Sequence, residues 1–201
     1  MSQIRIPFKA LLIHSLLARK EQVIQDVLAL LMERYGETAF ESPVLPFHHT
    51  DYYEKEFGPN LKRLFVGFAE LAPQDILVQA KLFAMELERR FSCNGKRLIN
   101  IDPGMLTMER LVLATAKNFT HRIYLGQGVF ADLTLIFQKG GFRPLPWTFP
   151  DYKSDEAMAL WHDWRNHYKK TIEQGKVHIE AGIQWSSRGN YDTKHDHLCQ
   201  V

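Results

Sequence analysis

The sequence predicts an α+β domain, and three observations carry that reading. Two stretches, Lys20 to Tyr35 and Pro73 to Phe91, repeat apolar residues every three to four positions, the period of an amphipathic helix. Four apolar runs around them, Phe8 to Leu17, Thr38 to Leu45, Leu61 to Ala69 and Arg97 to Ile101, lack that period and read as strands. Gly, Pro and Asn stand at the boundaries between the two kinds of segment.

Taken in order, Phe8 to Leu17 is rich in Leu and Ile and holds no turn residue, so it reads as a central strand. Val23, Ile24, Val27, Leu28, Leu31 and Tyr35 form one stripe of the first helix, and Gly36 caps its end. Pro43 makes the second strand an edge or a bulge. Residues Pro46 to Asn60 are polar, aromatic and irregular. In the third strand Leu64, Val66 and Phe68 share a face. Pro73 suits the first turn of the second helix, and Asn94-Gly95 stops it. A short strand, Arg97 to Ile101, then runs into an Asp102-Pro103-Gly104 turn.

Strand, helix, strand, strand, helix, strand is the order of a ferredoxin-like βαββαβ core, with an antiparallel sheet and helices on one face. More β structure extends it. Arg110 to Thr115 reads as a strand. His121 to Leu125 and Val129 to Gln138 flank Gly126-Gln127-Gly128 as a hairpin. Phe142 to Asp151 holds three prolines and reads as a fixed extended loop. Ser154 caps a last helix to about Gln174, with Asp155 and Glu156 in its first turn. The domain thus spans residues 1–174, and 175–201 form a polar tail.

Composition narrows the partners. A formal net charge of +2 gives no field that favours nucleic acid. Strand one carries no aromatic residue between Leu11 and Leu17, which argues against RNA stacking on the sheet. The apolar run Ala10 to Ala18 is too short to span a membrane, and no leader is read, which points to the cytoplasm. Cys93 and Cys199 lie far apart and give no disulfide framework, which fits a reducing compartment.

Several strings together carry a resemblance. They are Thr50-Asp51-Tyr52-Tyr53 with Gly58, Asn100-Ile101-Asp102-Pro103-Gly104, Val112-Leu113-Ala114-Thr115, His121-Arg122-Ile123-Tyr124-Leu125-Gly126 and Pro144-Leu145-Pro146-Trp147-Thr148-Phe149-Pro150-Asp151-Tyr152. The chain resembles, over roughly Phe8 to Lys170, the uncharacterised prokaryotic family known as domain of unknown function 4416. That resemblance implies no reaction. A phosphate-cradling P-loop is not read either, since Gly95-Lys96-Arg97 has Arg90 where its first glycine belongs.

Four segments could carry chemistry. The loop from His48 to Glu56 crowds imidazoles and carboxylates, making His49 and Asp51 the candidates for a divalent metal. Asp102 stands at a strand end, where a sheet presents a proton acceptor. Lys117, His121 and Arg122 combine a proton carrier with anion-binding groups. His121 and Arg122 would face opposite sides of their strand. Trp147, Phe149 and Asp151, between fixed prolines, could wall a pocket or strap across the sheet. Arg63 adds a further cation on strand three. The tail string His195-Asp196-His197-Leu198-Cys199 lacks the second cluster that a zinc site needs.

Two functions follow as expectations. In the first, a small anionic molecule, phosphorylated or nucleotide-like, is held by Arg122, Lys117, Arg63, Trp147 and Asp151. Asp51, Asp102 and His121 would then supply acid-base chemistry if the domain is an enzyme. The alternative is a non-catalytic interaction module that uses a sheet edge or the aromatic strap, with a second copy of the chain as one partner.

Overall fold

The computed structural model describes residues 3–47 and 54–175. His49, Asp51 and the histidines and cysteine beyond residue 175 lie outside the described residues. In chain order the elements are β1 (Leu11–Ala18), α1 (Glu21–Tyr35), β2 (Thr38–Glu41), β3 (Leu45–Phe47), α2 (Glu54–Phe57), β4 (Leu61–Phe68) and α3 (Leu77–Arg90). They continue with β5 (Ser92–Cys93), β6 (Lys96–Arg97), β7 (Ile99–Leu106), β8 (Arg110–Thr115), β9 (Arg122–Gly126), β10 (Val129–Gln138), β11 (Gly141–Pro144) and α4 (Asp155–Glu173).

Nine strands make one sheet in the order β11-β10-β8-β7-β1-β4-β2, with β3 added to β4 and β9 added to β10. Neighbouring strands are antiparallel throughout. β1 is buried along its whole length, as a central strand covered on both faces must be. Leu12, Leu16, Leu64, Val66 and Phe68 point to one face, where the apolar stripes of α1 and α3 cover them. Leu11, Ile13, Phe65 and Leu113 point to the other, where Trp161, Trp164 and Tyr168 of α4 close a second core. Helices on one face therefore holds for α1 and α3, but α4 covers the opposite face. The reason is that β1 and β4 are apolar on both sides.

Local chemistry explains the breaks. Gly36 ends α1 at φ 87° and donates its N–H to Met32 O at 2.8 Å. Pro43 splits the second predicted strand into β2 and β3. At the gap Ser42 substitutes for the ladder: its N–H donates to Phe65 O at 2.9 Å and its Oγ accepts from Phe65 N at 3.0 Å. Asn94 and Gly95, at φ 51° and 75°, do more than stop α3. They turn the β5–β6 hairpin, whose two-residue loop needs positive φ at both positions. Lys139-Gly140 turns β10 into β11 in the same way, so Gly141–Pro144 pairs with β10 and is not loop. Ser154 caps α4, accepting from Ala157 N at 3.2 Å.

The largest departure from expectation is at Asp102-Pro103-Gly104. These residues make no turn but run straight through the middle of β7. β7 pairs with β1 from Ile99 to Leu106, yet with β8 only at Gly104, Met105 and Leu106. Upstream of Gly104 the two strands part, and the sheet opens between them.

No helix among the described residues is long and apolar enough to cross a membrane.

Gly104 guards the last closed rung. A Cβ there would sit 2.7 Å from Leu113 Cδ2 and 2.8 Å from the Val112 carbonyl oxygen, and a backbone oxygen cannot swing aside. Gly104→Ala is expected to cost about 1–3 kcal/mol of unfolding free energy. Urea titration of the purified variant checks it.

Candidate functional site

The opening between β7 and β8 is the mouth of a cleft of about 740 Å³. Its floor is α3, which crosses beneath the gap and sends Lys81, Met85 and Glu88 into it. These lie at i, i+4 and i+7, one line along a helix. The unpaired side of β7 is satisfied by this line. Glu88 Oε1 accepts from Ile101 N at 2.7 Å, and Lys81 Nζ donates to Ile101 O at 2.9 Å. Two residues on, with the same aspect, Pro103 has no N–H to leave unpaired.

Charged groups converge on the cleft from many elements. Lys81 Nζ lies 3.2 Å from Asp102 Oδ1, and Asn100 Nδ2 donates to Asp102 Oδ2 at 2.6 Å. Arg63 Nη2 lies 2.7 Å from Asp151 Oδ2, with the two side chains only 4% and 8% exposed. Arg63 Nη1 also donates to Ser15 Oγ, and its guanidinium stands 4.9 Å from the Phe47 ring centre. At the rim Arg97 takes the Glu56 carboxylate in a two-pronged pair, 2.7 and 2.8 Å, and reaches Glu88 Oε2 at 3.0 Å. Arg122 Nε donates to Asp132 Oδ2 at 2.9 Å and its Nη1 to Lys117 O at 3.0 Å. Its Nη2 makes no hydrogen bond among the described residues.

These pairings set protonation. Burial works against the Asp102 carboxylate, but Lys81 and Arg63 outweigh it and hold the group below its ordinary value. It is a fixed negative charge and a poor proton acceptor near neutral pH. Arg97 lowers the Glu56 carboxyl through their hydrogen bond. Burial lifts the Tyr152 phenol well above its ordinary value, so it stays neutral.

Of the residues expected from sequence, Asp102, Arg122, Lys117, Arg63 and Asp151 meet in this cleft, and Phe149 lines it. Two do not. His121 precedes β9 in a turn, so strand alternation does not separate it from Arg122. Both address the same carboxylate, with His121 Nε2 3.2 Å from Asp132 Oδ2. Trp147 lies behind it, stacked on the imidazole at 4.6 Å and 9°, and pins the strap to the sheet through Nε1 to Leu133 O at 2.8 Å. Both rings back the site from outside the cleft. Asp51 and His49 lie outside the described residues. Among the described residues no group of three or more His, Cys, Asp or Glu could hold a metal ion.

Sequence reading missed Lys81, Glu88, Asn100 and Asp132. Asp132 did leave a signal, a lone carboxylate in the apolar run Val129 to Phe137, where a buried charge requires a partner. Lys81 and Glu88 lie outside the apolar stripe read for their helix, and spacing alone gives such residues no signal.

The matched region contains every element of this cleft. The chain belongs to the family described as Domain of unknown function (DUF4416), whose model matches residues 8–168. No curated protein and no solved structure matches it. The DUF4416 match ends in the last turns of α4, so every residue lining the cleft lies within the family region.

One further titrating group lies just under the cleft. His14 of β1 is fully buried on the α1 and α3 side, 5.3 Å from the Tyr35 ring and 5.5 Å from that of Phe68. Neither ring nitrogen has a hydrogen-bond partner among the described residues. Burial, helped by the Lys81 charge and opposed by Asp102, pushes its pKa down to about 3. The unfolded chain therefore takes up this proton below about pH 6.5, while the folded chain does so only near pH 3, and stability falls as pH drops through that window. At pH 5 the loss is expected to be about 2 kcal/mol relative to pH 7. His14→Phe should flatten that slope, which urea unfolding at both pH values measures.

Proposed function

We propose that the cleft binds a small anionic molecule, with a phosphate or carboxylate held by Arg122 and Lys117. One observation carries this reading. On a chain of net charge +2, five cations from five different segments, Arg63, Lys81, Arg97, Lys117 and Arg122, line one cleft. Ion pairs inside the protein hold Arg63, Lys81, Arg97 and Arg122 in place, and preorganised donors bind without a new ordering cost. Arg122 is the hook, because its Nε and Nη1 are fixed by hydrogen bonds and its side chain lines the cleft.

Asp102 then sits at the inner end as an acceptor. Its carboxylate is ionised and a quarter exposed, so it suits a ligand hydroxyl, amide or ammonium. Phe47, Met85 and Phe149 give the ligand an apolar wall. The fold behind it is read as a ferredoxin-like core, β7-β1-β4-β2 with α1 and α3 on one face, onto which the β8 to β11 layer adds the second wall of the cleft.

A thermal-shift panel of inorganic phosphate, sugar phosphates, nucleoside phosphates and dicarboxylates tests the reading, since ligand binding to the native state raises Tm. At least one member is expected to raise Tm in a dose-dependent way. Lys117→Ala removes an exposed cation without touching the core and should weaken that ligand about tenfold, with Arg122→Gln weakening it as much or more. Tm values unmoved across the panel would defeat the proposal.

A further inference from the structure

Seven of the eleven large apolar side chains exposed among the described residues fall in two short segments. Ile4, Ile6 and Phe8 stand 102%, 75% and 64% exposed in the arm before β1. Phe119, Ile123, Tyr124 and Leu125 stand 62%, 69%, 60% and 41% exposed on β9 and the turn that leads into it. The arm alternates apolar and polar residues with the period of a strand, yet residues 3–9 have no secondary structure. β9 pairs with β10 on one side only, which leaves the other edge open. An extended apolar arm without a sheet and an apolar edge without a strand are complementary defects.

We infer that the arm of one copy of this chain adds as a strand to the β9 edge of a second copy, in a reciprocal dimer. Pro7 agrees with this geometry. With Ile4, Ile6 and Phe8 turned to pair along β9, the residue without an N–H points outward, where a strand tolerates proline.

The arm cannot reach the β9 of its own chain. Its root is tied down, since Gln74 Nε2 donates to Phe8 O at 3.0 Å and Tyr168 Oη to Lys9 O at 2.8 Å. Only Gln3 to Pro7 is loose, a reach of about 17 Å. β9 lies beyond β7, β8 and β10, four strand spacings or about 19 Å across the sheet. Leu11 is level with Leu106 and Leu111, whereas Tyr124 is level with Phe130 and Thr115, so β9 also lies about 13 Å further along the strands. A second copy turned end for end brings its β9 beside the first copy's arm. Two-fold symmetry then covers both arms and both edges at once, leaving none open for further growth.

This inference is independent of the anion-binding reading. Sedimentation equilibrium of the full chain across micromolar concentrations tests it. A reversible dimer is expected. Ile4→Lys with Ile6→Lys, and separately Ile123→Lys with Leu125→Lys, should each raise the dissociation constant at least ~30-fold. Because these residues are exposed in the monomer, both variants should keep the wild-type circular-dichroism spectrum. Mixing the two variants should recover part of the association, since the mixed dimer rebuilds one intact arm–edge contact of the two. A wild type that stays monomeric overturns the inference, as does a dimer that survives the arm substitutions. Growth into open-ended assemblies would equally overturn the reciprocal dimer.

Discussion

Ile101 has a backbone amide and carbonyl that face away from β1 with no strand beside them. In most sheets such groups meet a neighbour's ladder, and buried without one they carry a penalty of about 1–3 kcal/mol each. Here Glu88 and Lys81, two turns apart on α3, supply the missing acceptor and donor. That substitution lets β8 depart from β7 inside a folded core. Without it the sheet would have to close or the strand would have to end, and there would be no cleft. Everything placed around the opening, the Asp102 carboxylate above all, rests on two side chains doing the work of a strand.

The arrangement also explains why the charges are so thoroughly paired. Lys81 and Glu88 bring charged side chains into a site shielded from water, where a charge needs a counter-charge. Asp102 answers Lys81 and Arg97 answers Glu88. Arg97 in turn brings Glu56 from α2, and Asp151 from the strap answers Arg63. The result is a connected set of charged and polar groups across α3, β7, β6 and α2, with the Arg63–Asp151 pair beside it. Arg122, paired with Asp132 outside that set, keeps Nη2 without a hydrogen bond among the described residues.

Three elements show how much could be read in advance. The stripes of α1 and α3 follow from spacing alone, because burial of one helix face imposes a 3.6-residue period whatever lies opposite. The β9–β10 hairpin follows from Gly126-Gln127-Gly128, since a tight reversal demands residues that accept positive φ. Asp102-Pro103-Gly104 misled for the same reason, because its residue types favour a turn locally. A strand stays straight there since β1 pairs with it residue for residue on its other side. Local preference yielded to a long-range ladder.

What the sequence determined by itself was the main helices and core strands, their order, and the residue types able to hold an anion: Arg63, Asp102, Lys117, Arg122 and Asp151. What the tertiary structure alone decided was which of these meet. Their convergence depends on where β8 leaves β7, on α4 taking the second face, and on α3 lying under the gap. Those are outcomes of pairing between segments tens of residues apart. His121 and Trp147 fall outside the cleft for that reason, and Lys81, Glu88 and Asp132 fall inside it. Periodicity records which face of an element is buried, but it does not record what the buried face is buried against.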